Sequence, residues 1–190
     1  DALIEVIKKN PNVAKHFHLP VQSGNNRVLS AMNRRYTREV YLELIDYMKK
    51  RIPDIALTTD IIVGFPGETE EDFLETVSFV KEAKFIDAHV FAYSRRKGTP
   101  ADSFDNQIPE CEKSKRSFVL RQTVDEVRDE VLDGIVRAGE PLSVILETER
   151  DGVFSAHSDG FAEVMLRAAN KNQGDLVKVL PVSHKNGIIL

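Results

Sequence analysis

The chain has 190 residues, of which 42% are hydrophobic and 29% charged, a composition that excludes a disordered or fibrous protein. No run approaches the roughly 18 apolar residues of a membrane-spanning helix, and the first residues carry no secretory signal, so we predict a cytoplasmic location and no membrane partner. The net charge of −4 argues against a generally basic nucleic-acid binder, and the single cysteine excludes a disulfide framework.

Strands and helices alternate along the first part of the chain. Predicted strands cover residues 13–21, 55–63 and 86–93, and predicted helices cover residues 1–9 and 37–52, a segment that opens at Thr69, and a long segment that starts at Pro109. This order predicts an α/β domain over residues 1–138, with three βα units and a parallel sheet. The chain begins inside a predicted helix without a methionine, which indicates a segment of a longer protein.

The pattern changes after Gly139. Short runs rich in Val, Leu and Phe are separated by turn residues, at 142–147, 154–157, 162–166 and 176–180. They predict a small all-β domain over residues 139–190. We expect it to close into a barrel, because open sheet edges are poorly tolerated at this size.

Three polar loops follow the predicted parallel strands. They contain Gln22-Ser23-Gly24, Asp60 with the glycine-rich run 64–68, and residues 94–99. Ligands bind at the carboxyl ends of parallel strands, and a glycine-rich turn before a helix offers free N–H groups to an anion or a polar heterocycle. The alternative is that these loops are only tight turns between strand and helix.

Two histidines, His16 and His18, are two residues apart on the first strand and point to the same face. This spacing allows a metal-dependent hydrolase, provided that Asp60 or His89 completes the ligand set. The alternative is that the two rings only line the sheet.

Basic residues cluster in three places, namely Arg34, Arg35 and Arg38; Arg95, Arg96 and Lys97; and Lys113, Lys115 and Arg116. Such clusters are usually solvated surface, but the first two follow strand ends and together offer six cations to a polyanion. The all-β segment has five Lys and Arg against seven Asp and Glu. Its overall charge therefore gives no reason to expect RNA binding.

Three long motifs, in this order, resemble the radical SAM methylthiotransferases. They are HLPVQSGNNRVLSAMNRRYT at 18–37, LTTDIIVGFPGETEEDF at 57–73 and YSRRKGTPA at 93–101. The resemblance implies that the (βα)₃ segment is the C-terminal half of a radical SAM partial TIM-type barrel, and that the all-β segment is a TRAM-like RNA-binding barrel. The run AHVFAYSRRKGTPA at 88–101 is closest to the branch that acts on N6-threonylcarbamoyladenosine in tRNA.

The resemblance implies a transferase that adds a methylthio group to a modified adenosine next to the anticodon of tRNA. Its cofactors are S-adenosylmethionine and two [4Fe-4S] clusters, whose cysteine ligands would lie in the missing N-terminal half of the same protein. No metal site is therefore predicted in this chain, and the chain alone is predicted to be inactive. The alternative function is a non-catalytic RNA-binding module, which would bind tRNA without affinity for S-adenosylmethionine.

Candidate site residues follow from the resemblance. Those for the cofactor are Gln22, Ser23, Arg27, Arg34, Asp60, Ile62, Gly64, Tyr93 and Ser94. Those for RNA are Arg34, Arg35, Arg95, Arg96, Lys97, Lys171 and Lys178. Three strands cut from a longer sheet also leave an open edge, which predicts self-association of the chain.

Overall fold

The computed structural model describes residues 2–190, and Asp1, which falls in the predicted first helix, lies outside the described residues. The helices are α1 (Ala2–Lys9), α2 (Asn26–Ala31), α3 (Arg38–Arg51), α4 (Glu70–Ala83) and α5 (Glu110–Ala138). The strands of the first part are β1 (His16–His18), β2 (Ala56–Val63) and β3 (Asp87–Ala92). Those of the second part are β4 (Leu142–Arg150), β5 (Val153–Ser158), β6 (Glu163–Leu166), β7 (Leu176–Val179), β8 (His184–Lys185) and β9 (Ile188–Ile189).

The first sheet has the strand order β1-β2-β3. β2 and β3 are parallel over the register Thr58↔Asp87 to Val63↔Ala92, and a parallel bridge between Gln22 and Ile61 continues the β1 side past the end of that strand. The predicted parallel α/β arrangement is therefore confirmed. Helices connect the parallel strands, as such connections require.

Helix α4 begins where the sequence predicts it. The Thr69 hydroxyl accepts a hydrogen bond from the Asp72 N–H, and the Asp72 carboxylate accepts one from the Thr69 N–H, which completes a capping box. Such a cap stabilises the helix start by about 0.5–2 kcal/mol. It fixes the point at which the loop after β2 ends.

The second sheet has six strands in the order β7-β4-β5-β6-β9-β8, and its pairs are antiparallel except β6 with β9. The four predicted strands are confirmed, with β8 and β9 added. The expected closed barrel is not observed, since among residues 2–190 no ladder joins the end strands β7 and β8. β8 is two residues long, and both residues pair with β9, so it offers little edge for closure.

The chain divides into two compact units that do not follow chain order. One contains residues 18–47 and 57–127, and the other contains residues 2–17, 48–56 and 128–190. The proposed domain boundary between residues 138 and 139 remains a prediction, because compactness does not test whether either part folds alone. None of the helices within residues 2–190 combines the length and apolar character needed to cross a bilayer.

Candidate functional site

The two faces of the first sheet differ in exposure. Ile61 and Val63 of β2 are fully buried, whereas the alternate residues Asp60 and Ile62 are only partly buried. On β3, Phe91 lies opposite Ile62 and is 50% exposed. Because successive side chains of a strand point to opposite faces, one face of this sheet is packed and the other is open.

The backbone of Gln22 is hydrogen-bonded to β2 near the carboxyl end of that strand. Its N–H donates to the Asp60 carbonyl at 2.9 Å, and its carbonyl accepts from the Ile62 N–H at 2.9 Å. The φ angle of Gln22 is +73°, a left-handed conformation that costs a residue with a side chain about 1–2 kcal/mol. Backbone strain of this kind concentrates at functional sites.

Ser23 and Gly24 are held against α4. The Ser23 hydroxyl is buried, accepts from the Asn25 N–H at 3.2 Å and lies 3.4 Å from the Thr76 hydroxyl. The Gly24 N–H donates to the same Thr76 oxygen at 3.2 Å. The Ser23 side chain therefore braces the turn in this structure.

Arg27 is paired within the fold. Its guanidinium bonds to the Asp72 carboxylate and donates to the Gly67 carbonyl at 2.7 Å. Burial alone would raise the pKa of Asp72, but the hydrogen bonds from Arg27 and Thr69 outweigh it and hold that pKa below its ordinary value. The pair connects α2 to α4 and to the glycine-rich loop.

Buried side chains of α5 contact the glycine-rich loop. Glu68 is buried, and its carboxylate accepts from the Gly64 N–H and from the Arg116 guanidinium, both at 2.7 Å. Burial raises the pKa of Glu68, and the hydrogen bonds from Gly64 and Arg116 only partly offset it. The Lys113 stem packs against Gly64, where an added Cβ would lie 2.5 Å from it.

The sequence did not reveal this role of α5. Lys113 is 3% exposed and Arg116 is 6% exposed, so these members of the third basic cluster are not solvated surface. Their positive charge had instead suggested an exposed, solvated surface. No feature of the sequence alone indicated it, because the burial of Glu68, whose carboxylate requires a partner, is known only from the structure.

Tyr93 and Ser94 directly follow β3. The Tyr93 N–H donates to the Val63 carbonyl at 2.8 Å, and the Tyr93 ring packs edge-on against Phe65 with centroids 5.3 Å apart. Among residues 2–190, the buried Tyr93 hydroxyl has no hydrogen-bond partner. Ser94 is exposed. A buried hydroxyl without a partner calls for an explanation, and a bound ligand is one.

Gln22, Ile62, Gly64 and Tyr93 thus share the carboxyl ends of adjacent strands. Asp60 lies lower on the open face, where its carboxylate is 3.3 Å from His18 Nε2 and 3.2 Å from His89 Nδ1. Arg34 is exposed beyond the end of α2.

The metal-dependent hydrolase interpretation is not favoured. His16 stacks on Phe161 with ring centroids 4.2 Å apart, whereas His18 faces Asp60. Within the described part of the chain, no group of three or more His, Cys, Asp or Glu side chains is arranged to hold a metal ion.

The predicted RNA-binding cations are exposed. Arg34, Arg35, Arg96 and Lys97 are accessible at loops after α2 and β3. Arg95 is exposed too, but it pairs with the Asp102 carboxylate at 3.0 Å. In the second sheet, Lys178 lies opposite Ser143 and Lys171 lies in the turn before β7.

The sequence profile of the radical SAM superfamily matches residues 1–80. The chain is 38% identical over 187 residues to the threonylcarbamoyladenosine tRNA methylthiotransferase MtaB of Bacillus subtilis (strain 168), covering 94% of this chain and 40% of that protein. The chain belongs to the radical SAM methylthiotransferase family.

Other relatives are named for a different modified adenosine. A tRNA-2-methylthio-N(6)-dimethylallyladenosine synthase of Alkaliphilus oremlandii is 52% identical over 131 residues, which covers 69% of this chain and 28% of that protein. One of the same name from Acetivibrio thermocellus is 41% identical over 182 residues, which covers 94% of this chain and 38% of that protein. The chain thus spans two fifths or less of the length of these relatives.

Proposed function

We propose that the chain is part of a tRNA methylthiotransferase that adds a methylthio group to N6-threonylcarbamoyladenosine next to the anticodon, in the cytoplasm. The observation that carries the proposal is the convergence of Gln22, Gly64 and Tyr93 at adjacent strand ends in a chain of this family. Strand ends are where α/β proteins bind ligands.

The strand-end residues fit S-adenosylmethionine, a ligand with a polar heterocycle and several hydrogen-bonding groups. Gln22, Ile62, Gly64, Tyr93 and Ser94 would hold it, and the unpartnered Tyr93 hydroxyl supports this assignment. We retain the rest of the predicted set, in which Asp60 and Arg34 also contact the cofactor and Ser23 and Arg27 do so by exchanging their present partners. In this family, bound S-adenosylmethionine supplies the radical that starts the chemistry.

The described residues do not fit an iron-sulfur cluster. Cys111 is the single cysteine of the sequence and is exposed. We therefore assign the ligands of both proposed [4Fe-4S] clusters to another part of the full-length protein, and we derive no step through a cluster. The 190 residues alone are proposed to be inactive.

We propose that tRNA contacts two surfaces, one at the strand-end loops and one on the all-β segment, which would act as a TRAM-like module. An open cleft of about 300 Å³ on that segment is lined by two hydroxyls, an arginine and two apolar side chains, namely Thr148, Ser155, Arg150, Val153 and Met165. A cation beside hydroxyl groups suits a phosphate and its sugar. The cleft supports RNA binding despite the net acidity of the segment.

The test uses the full-length protein in a bacterium whose tRNA lacks the methylthio group. Mass spectrometry of digested tRNA should show the methylthio derivative of threonylcarbamoyladenosine. Gln22→Ala should weaken S-adenosylmethionine binding in equilibrium dialysis, and the control Gln122→Ala, at an exposed position of α5, should not. A full-length protein that binds tRNA but not S-adenosylmethionine would instead be a non-catalytic RNA-binding protein.

The RNA arm measures tRNA affinity against salt concentration. Removing one cation that binds a phosphate should lower the magnitude of the log-log slope by roughly 0.7–0.9. We expect this for the pair Arg96→Ala/Lys97→Ala and for the pair Lys171→Ala/Lys178→Ala, but not for the control pair Lys8→Ala/Lys9→Ala on α1. If neither test pair changes the slope, the two-surface proposal is wrong.

A further inference from the structure

A polar layer crosses the open face of the first sheet below the strand ends. His18 of β1, Asp60 of β2 and His89 of β3 lie side by side, with Asp60 paired in register with His89. The two imidazole rings are on either side of the carboxylate, with their centroids 6.0 Å apart. Each strand therefore contributes one member.

The carboxylate fixes where the ring protons lie. An ionised carboxylate only accepts hydrogen bonds, so in the neutral rings the nitrogens that face Asp60 carry the protons. These are His18 Nε2, at 3.3 Å, and His89 Nδ1, at 3.2 Å. His18 Nδ1 is then an acceptor, and it lies 3.0 Å from the Thr58 hydroxyl. In the same way, His89 Nε2 is left as the acceptor of its ring.

His89 is accessible, since its side chain is 61% exposed. Two residues further along the strands, on the same face, Ile62 and Phe91 form an apolar layer nearer the strand ends. The two layers are about 7 Å apart, given the rise of a strand. Phe91 is half exposed, and its ring packs edge-on against His89. The open face thus offers an apolar surface for a base, with a hydrogen-bond acceptor beyond it.

We propose that the layer of His18, Asp60 and His89 selects an adenosine whose N6 substituent carries N–H and O–H groups over one whose substituent is a hydrocarbon. This inference rests on the proposed function and addresses the difference between the two substrate names carried by the relatives. His89 Nε2 accepts a hydrogen bond from the substituent, Asp60 and His18 hold the ring in the accepting tautomer, and Phe91 supports the base.

The chemistry of the two substituents differs in the required way. A threonylcarbamoyl group carries N–H groups, a hydroxyl and an ionised carboxylate, of which the N–H and O–H groups are the donors for His89, whereas a dimethylallyl group is a hydrocarbon. Placing the hydrocarbon against the polar layer would remove the hydrogen bonds that His89 and Asp60 make to water. The hydrocarbon offers no hydrogen bonds in their place. A site that bonds a polar group of its substrate rejects an analogue that lacks it, more strongly than an apolar pocket rejects an extra methylene.

The test measures binding of the full-length protein to two anticodon stem-loop RNAs that differ only in the substituent, threonylcarbamoyl or dimethylallyl. Fluorescence anisotropy at fixed salt should give about tenfold tighter binding of the threonylcarbamoyl RNA by the wild type. His89→Leu should remove most of this ratio by weakening only the threonylcarbamoyl complex. His89→Gln retains an acceptor oxygen and should keep most of the ratio.

A matched control is His157→Leu, a histidine in β5 that pairs with Glu147 at 2.8 Å. It should leave the ratio of the two affinities unchanged within twofold.

A wild type that methylthiolates tRNA but binds both RNAs equally, or prefers the dimethylallyl RNA, overturns this inference and leaves the proposed function standing. If wild type methylthiolates neither RNA, the proposed function fails first. If His89→Leu lowers the melting temperature and weakens both complexes equally, the face is packed against another part of the protein and the inference is wrong.

Discussion

Gly24 occupies a position where packing leaves no room for a side chain. An added Cβ atom would lie 2.5 Å from the Phe79 Cβ and 2.9 Å from the Thr76 Cα. Phe79 is fully buried at the centre of the aromatic cluster with Tyr41 and Phe85, so it cannot retreat into solvent. The turn that carries Gln22 and Ser23 is therefore placed by direct contact with α4.

Gly24→Ala should lower the free energy of unfolding by about 1–3 kcal/mol, the usual cost of forcing extra volume into a packed site. Urea titration followed by circular dichroism measures it. Gly134→Ala is the control, because nothing lies within 4 Å of an added Cβ there, and alanine should stabilise the interior of α5 by about 0.5–1 kcal/mol. Equal effects of the two substitutions would contradict the packing explanation.

At the scale of elements, α2 and α4 are joined by the Arg27–Asp72 pair on the capping box of α4. The pKa of Asp72 lies below its ordinary value of 3.8 in the folded protein. A carboxyl whose pKa is lowered by folding contributes stability that is present above the unfolded pKa and is lost as pH falls through the folded pKa.

Asp72→Asn should therefore reduce the free energy of unfolding by about 1–2 kcal/mol at neutral pH. The difference from wild type should begin to shrink as the pH falls below 3.8, where Asp72 of the unfolded chain becomes protonated, and should be smallest below the lower pKa of Asp72 in the folded protein. Urea titrations at several pH values test this. Glu71→Gln removes a neighbouring exposed charge and should show a smaller difference, so an equal loss would assign the effect to helix charge rather than to the pair.

The elements themselves were largely predictable. Periodicity located the three parallel strands, the helices after them and four strands of the second sheet, and the Thr69 and Asp72 spacing located the start of α4. The first strand was predicted too long, since β1 covers only His16–His18 of the predicted residues 13–21. Helix α2 was missed because six residues are too few to show a periodic apolar face. Barrel closure was predicted wrongly because strand alternation does not encode which distant strands pair.

The site was only partly predictable for a related reason. The strand ends could be inferred from chain order, which placed Gln22, Gly64 and Tyr93 together. The partners of the loop could not, because Arg116 comes from a helix 48 residues away from Glu68. Likewise, the contact between Asp60 and His89 depends on the register of β2 and β3, which cannot be inferred from a single sequence.

At the scale of the whole molecule, β1 and β3 are the edges of the first sheet, and β3 is the longer one. The Arg121 guanidinium of α5 donates to the Val90 carbonyl of β3 at 3.0 Å. A side chain that occupies a backbone acceptor opposes pairing of that edge with another chain, as charged groups at natural sheet edges do.

We retain the prediction that the chain of 190 residues self-associates through a sheet edge, and we assign it to β3. Arg121→Ala should increase the fraction of dimer or larger species in sedimentation velocity at a given concentration. Arg137→Ala removes the same charge from the other end of α5, where the side chain bonds to the Asp133 carbonyl of its own helix, and should have no such effect. Stable monomers of both wild type and Arg121→Ala would contradict the assignment.

The left-handed backbone of Gln22 has an evolutionary consequence. Glycine adopts this conformation without steric cost, so selection for stability alone would favour glycine at the position. The chain instead carries glutamine at φ +73°, whereas β1, β2 and β3 as described contain no residue with a positive φ. Natural proteins stay only somewhat above the stability that they need, and they keep a destabilising residue where its side chain is under selection of its own. Under the proposed function, contact of the glutamine amide with the cofactor is the reason for keeping a side chain at this strained position.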